Sequence, residues 1–210
     1  MTALIIVLVV VANVLGSAMA YPQAARLLRT GDPEGVSALW AGLSVSMNLW
    51  WLGYRVANGL WGLVPTSAVA AALYLVIVVA FVRSVGRGAV RGLVVGALGF
   101  GLVPLPVLLV AGWSAAGITI GVCYGMQLAP AVVASWRTRV LSGIAPGTWL
   151  MAWLEGAIWG AYGLYVLDAA LVVGGVSGVV MSTLVLIRLE LTGHRPFARG
   201  RAVAPAAAAA

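Results

Sequence analysis

The chain has no lysine, one cysteine (Cys123) and one histidine (His194), and its five acidic residues stand against twelve basic ones, all arginine. A lone cysteine excludes an internal disulfide. A lone histidine near the C-terminus excludes a His/Cys metal cluster and a cysteine–histidine nucleophile pair. Arginine without lysine, beside abundant Ala, Val and Gly, reads as GC-rich coding and hints at a bacterium. Only Glu155 and Asp168 stand apart from the arginine-bearing loops and tail, too few acids to assemble convergent nucleophile, base or metal ligands. The expectation is therefore a protein that is not an enzyme and carries no cofactor and no metal.

What is present is apolar. Hydrophobic residues make up 63% of the 210, charged residues 8%, and mean hydropathy is +1.09. Runs of this kind exceed what a soluble core helix needs, so the bilayer is the solvent. Seven spans are expected at 3–21, 38–55, 60–82, 92–112, 114–134, 148–166 and 169–189, each near the ~20 residues that cross the hydrocarbon. A seven-helix membrane protein could hold retinal, but the Schiff base needs a lysine amine, which is missing. With the N-terminus outside, eleven arginines (26, 29, 83, 87, 91, 137, 139, 188, 195, 199 and 201) fall inside and only Arg55 falls outside. The positive-inside rule selects that orientation: a multi-pass protein of the cell membrane with a cytoplasmic C-terminus. The net charge of +7 then reads as topology and contact with anionic lipid, not as nucleic-acid binding. Ala18-Met19-Ala20 has the look of a signal-peptidase site, yet no positive charge precedes the apolar run, and the first helix reads as retained. Residues 191–210, basic and then alanine-rich, read as a disordered cytoplasmic tail.

An internal repeat organises the rest. Shifted by the 108 positions that separate Pro22 from Pro130, Arg29-Thr30 returns as Arg137-Thr138, Gly35-Val36 as Gly143-Ile144, and Trp51 with Tyr54 as Trp159 with Tyr162. A three-helix unit begins and ends on opposite sides of a membrane, so a like-facing copy needs one extra crossing. The fourth span, with Gly96, Gly99, Gly101, Pro104 and Pro106, has no counterpart in either copy and supplies that crossing. The fold expected is an all-α membrane protein of seven helices as 3+1+3: repeat 1–88, linker helix 89–112, repeat 113–190, the two bundles related by an axis along the membrane normal.

Pro22-Gln23, Gly35-Val36-Ser37 and Asn48-x-x-Trp51-x-x-Tyr54 resemble the PQ-loop repeat shared by SWEET sugar transporters and lysosomal amino-acid exporters. The second copy reads Pro130-Ala131, Gly143-Ile144, Trp159-x-x-Tyr162-Gly163 and Asp168, keeping the proline and lacking the glutamine. The resemblance covers nearly the whole chain except the fourth span and the tail, and implies an alternating-access transporter. It also marks a departure: SWEET proteins typically place a sugar-binding asparagine sixteen residues after each repeat tryptophan, where this chain has Ser67 and Gly175.

The candidate site follows from spacing and from that resemblance. Ser44, Asn48, Trp51 and Arg55 share one helical stripe, as do Glu155, Trp159 and Tyr162. Polar groups facing lipid would cost a few kcal/mol, so these stripes turn inward, where an indole and an amide can hold a sugar ring. The alternative for them is helix packing or a headgroup belt, the reading given to the remaining tryptophans. Candidate substrate contacts are Asn48, Trp51, Ser67, Ser44, Trp159, Glu155 and Gly175. Pro22 and Pro130, with Gln23, are candidate hinges or simply helix ends; the resemblance favours hinges. Tyr54, Tyr162 and Asp168 are candidate gates, Asp168 alternatively a helix cap. Facilitated diffusion of a mono- or disaccharide is the first functional reading. Proton-coupled transport of an amino acid or other small polar solute through Glu155 is the second, and a PQ-loop-type receptor is the rival from another class. Besides the solute and the bilayer, a second copy of the chain is a possible partner.

Overall fold

The computed structural model describes residues 3–33, 36–99, 101–137 and 146–193, and these are helical with short connections. Gly35, Thr138, Arg139, Gly143, Ile144 and residues 194–210 of the expected tail lie outside the described residues, as do the side chains of Pro22 and Gln23, while Leu191, where the tail was expected to begin, still belongs to the last helix. The elements are α1 (Ala3–Thr30), α2 (Ala38–Ala57), α3 (Val64–Val85) entered through a 3-10 turn at Trp61–Leu63, α4 (Gly88–Gly99), α5 (Pro104–Arg137), α6 (Pro146–Val166) and α7 (Ala169–Leu191). Four stretches are long and apolar enough to cross a membrane: Ala3–Thr30, Trp61–Val85, Gly88–Arg137 and Ala169–Leu191. An all-α transmembrane protein fits these lengths. α2 and α6, at 20 and 21 residues, are shorter, carry polar and aromatic residues along their length, and fall outside that set.

Two elements depart from expectation. First, α1 does not stop before Pro22 but continues to Thr30, while α5 passes through Pro130, as its expected span did, and ends at Arg137 rather than at 134. A proline removes one backbone hydrogen bond, which need not end a helix when its neighbours hold it. Second, the expected linker helix at 92–112 is not one rod. It is α4, a break, and a helical piece at 104–111 that ends at Gly112, whose φ of 74° and ψ of −173° interrupt α5. That backbone is open to glycine and strained for any other residue, so α5 is two helices, 104–111 and 113–137.

Contacts fix how the helices run. Gly16 lies beside Thr66, while Ala24 and Leu27 pack with Ile77, Ala80 and Phe81, so α1 is parallel to α3. Gly117 meets Ala170 and Gly125 meets Ser177, so α5 is parallel to α7. Gly163 meets Leu171 and Gly156 meets Val179, so α6 is antiparallel to α7. Arg55 bonds to Leu63 and Ser67, so α2 is antiparallel to α3. Tyr54 packs on Gly117, and Ser44 accepts from Gln127, so α2 is also antiparallel to α5. Thus α1 and α5 point the same way.

The pattern of neighbours is closed under the 108-residue shift. Among the described residues α3 packs on both α1 and α2, whose backbones do not approach each other closely, and α7 packs on both α5 and α6, whose backbones likewise stay apart. Between these sets, α1 meets α6 and α2 meets α5. α4 leans only on α2 and α3, running parallel to α2. A Cβ on Gly42 would collide with the Leu93 carbonyl and one on Gly96 with the Leu39 carbonyl, so small residues allow this close approach. Because the C-terminal ends of α1, α3, α5 and α7 lie together, Arg26, Arg29, Arg83, Arg137 and Arg188 share one end of the bundle. Arg55, in the last turn of α2, and Asp168 mark the other.

Candidate functional site

All six helices of the two sets, and not α4, wall a cavity of about 130 Å³. Its lining falls into seven pairs at the repeat offset: Gly16 with Tyr124, Met19 with Gln127, Met47 with Glu155, Asn48 with Gly156, Trp51 with Trp159, Thr66 with Gly174, and Ser67 with Gly175. Arg55, Ala70, Tyr74 and Leu171 complete it. Only the tryptophans are the same in both copies. In every other pair a hydrogen-bonding side chain on one half faces glycine or methionine on the other.

Of the expected contacts, Asn48, Trp51, Ser67, Glu155, Trp159 and Gly175 line the cavity. Ser44 does not: fully buried behind Asn48, it accepts at Oγ from Gln127 Nε2 at 2.8 Å and tethers α2 to α5. Asn48 Nδ2 is spent on the Ser44 carbonyl at 2.9 Å. Gly175 borders the cavity but sits in the α6–α7 seam, where an added Cβ would meet Gly156 O and Gly160 Cα at 2.6 Å. An asparagine there would have to part the two helices.

At the Asp168 end a side-chain hydrogen bond ties two elements together. Tyr54 Oη donates to both carboxylate oxygens of Asp168, each at 2.9 Å, linking α2 to the α6–α7 turn. Asp168 also caps α7, accepting from Leu171 N at 3.1 Å, which is the capping alternative expected for this residue. Beneath lie Val9, Ala12, Leu63, Trp159 and Leu171, packed with Leu60 and Tyr162. Tyr162 stacks edge-on against Trp159 at 6.2 Å, as Tyr54 does against Trp51 at 6.0 Å. Tyr162 has no counterpart of the Tyr54 latch, because Leu60 stands where the repeat would need an acid. Pro130 is exposed near the opposite end of α5, away from the cavity.

Five polar contributors were not assigned from sequence: Arg55, Thr66, Tyr74, Tyr124 and Gln127. Arg55 is 6% exposed. Its Nη1 donates to the Leu63 carbonyl at 2.8 Å and to Ser67 Oγ at 2.7 Å, and its Cζ lies 5.1 Å from the ring of Trp159 and 5.8 Å from that of Trp51. One guanidinium is thus held between the two repeat tryptophans. Glu155 approaches from α6, its Oε1 accepting from Trp159 Nε1 at 3.2 Å. Among the described residues no group of three or more His, Cys, Asp or Glu could hold a metal ion. No protein-family model and no curated protein matches this chain.

Proposed function

We propose that the chain is a membrane carrier of seven crossings in a 3+1+3 arrangement, which moves a small polar solute by alternating access through the cavity between two like-facing three-helix bundles. The observation that carries this reading is the pairing of the cavity wall. Fourteen lining residues, two by two, are the same positions of the two copies. A duplicated frame closed around one polar chamber is how transporters place a solute midway between two gates. The parallel course of α1 and α5 suits repeats related by an axis along the membrane normal, with 104–111 and α4 together as the odd crossing.

The arginine-rich end would lie in the cytoplasm by the positive-inside rule, which puts the N-terminus and the Tyr54–Asp168 latch outside. In this reading the closed outer end is one of two states, and Pro22 and Pro130, interior to their helices, are the paired weak points about which the halves bend. Two indoles at midplane suit a sugar ring, the first solute class. Glu155 favours a second reading, proton-coupled movement of an amino acid or similar solute. A receptor on the same scaffold would have no need of a solute-sized chamber walled by both halves. The PQ-loop resemblance, drawn on the motif, the duplication and the expected topology, supports the carrier.

Uptake of a labelled panel of sugars, sugar acids and amino acids into proteoliposomes, with and without a pH gradient, tests this. Saturable uptake of at least one solute is expected, reduced in Trp51→Ala and Trp159→Ala. No uptake of any member, with a folded protein in the vesicles, would remove the carrier reading.

A further inference from the structure

Among the described residues Arg55 is the one basic residue on the cavity wall and the one arginine at the Asp168 end. Its guanidinium is engaged unevenly. Nη1 has two acceptors, indoles flank the plane, and Nε is buried with no acceptor. A buried donor left without a partner costs the full desolvation of that group, so it calls for an explanation. A guanidinium takes a carboxylate by a two-bond fork along one of its edges. With Nη1 occupied by protein, the remaining edge is the one that contains Nε.

The acid of the chamber does not serve as that partner. Among the described residues Arg55 and Glu155 form no ion pair, although both border the same small cavity. Trp159 stands between them, presenting its ring to the Arg55 guanidinium and its N–H to Glu155 Oε1. A structural ion pair would have been brought into contact, since separated opposite charges in a desolvated site forgo their mutual attraction. Held apart by an indole, they form a chamber with a cationic pole and an acceptor pole.

We propose that the solute bears a carboxylate, which docks on the Nε edge of Arg55, and at its other end a hydrogen-bond donor, hydroxyl or ammonium, which meets Glu155. A neutral sugar would leave Arg55 without an anion, whereas a sugar acid or an amino acid satisfies both poles. The inference takes the cavity to be the solute site of the carrier described above.

Calorimetric titration of the purified full chain tests it with matched probes: gluconate against gluconamide, serine against serinamide, and glucose. Each acid should bind at least about tenfold tighter than its amide, the loss expected for one charge-assisted hydrogen bond. Arg55→Gln should erase that preference, and Arg55→Lys, which keeps the charge without the fork, should retain part of it. Glu155→Gln should weaken serine and spare gluconate if the second pole receives an ammonium, and affect both alike if it receives a hydroxyl. Amides and glucose binding as tightly as the acids, no binding of either acid, or an unchanged preference in Arg55→Gln would each overturn the proposal. Where Arg55→Gln does not fold, the wild-type acid and amide pairs decide alone. Acid binding without counterflow in vesicles would remove the carrier reading and leave this one; counterflow of glucose without acid binding would do the reverse.

Discussion

Removing one hydroxyl, in Tyr54→Phe, should unlatch the closed end of the chamber without unfolding the protein. Tyr54 is 4% exposed, packed on Ile120 and Ala170, and its ring stays in place when the oxygen goes. What is lost is a bond to an ionised carboxylate, made at 2.9 Å to both oxygens and worth about 1.5–3 kcal/mol. Asp168 keeps its cap on Leu171 N, so α7 is not shortened. If the bond exists only in the closed state, its loss multiplies the open fraction by about 10 to 100. Asp168→Ala removes latch and cap together and should also lower thermal stability, by about 0.5–2 kcal/mol for the cap. The assay is thiol labelling at Ala70→Cys, a small residue on the cavity wall, with the buried Cys123 replaced by serine and an impermeant reagent applied from the Asp168 side. Labelling should quicken about tenfold or more in Tyr54→Phe. An unchanged labelling rate in a stably folded Tyr54→Phe protein would refute the latch.

Gly175→Asn, which restores the residue found at that place in SWEET proteins, should destabilise by at least about 2 kcal/mol, because its Cβ meets the backbone of Gly156 and Gly160 rather than open space; thermal unfolding in detergent at wild-type temperature would contradict this. Gly16→Ala sets a methyl against Glu155 Oε1, the movable end of a side chain. It should leave stability near wild type while weakening solute binding about tenfold by breaking the Trp159–Glu155 bond, read by calorimetry. Glu155→Gln should abolish the dependence of uptake on an imposed pH gradient if transport is proton-coupled; gradient-driven flux that survives the change would clear Glu155 of proton transfer.

Much of the frame was legible because membrane helices announce themselves by length and apolarity and repeats by offset. Each expected span has a helical counterpart, with ends displaced where proline and glycine interfere: α1 passes through Pro22, and the fourth span breaks twice, before Pro104 and at Gly112. The stripe rule found Asn48, Trp51, Glu155 and Trp159. Arg55 lay on the same inward-turned stripe but was not carried into the candidate contacts, although a single arginine among apolar and aromatic neighbours is itself a signal that the charge has a task. Tyr74, Tyr124 and Gln127 sit on helices too apolar to show a stripe. Only the offset could have found two of them, since Tyr124 answers Gly16 and Gln127 answers Met19 across the two copies. The latch was half visible: Tyr54 and Asp168 stand out individually, but 114 positions of chain separate them, and no local pattern reports that α2 ends beside the α6–α7 turn.

The divergence of the two copies has a steric logic that bears on mechanism. Gly16 of the first half makes room for Glu155 of the second, while Gly174 and Gly117 of the second make room for Trp51 and Tyr54 of the first, a Cβ on Gly174 falling 3.0 Å from the Trp51 ring. Each glycine is thus the place where a functional side chain of the opposite half enters. A perfectly symmetric chamber would accept a solute in two equivalent orientations and could not separate a cationic pole from an acidic one. In the carrier proposed above, placing side-chain volume on alternate halves would keep the helices' symmetric contacts, which rocking requires, and would orient the solute between Arg55 and Glu155. The tryptophans are the pair that can remain identical because an aromatic face binds without sense of direction.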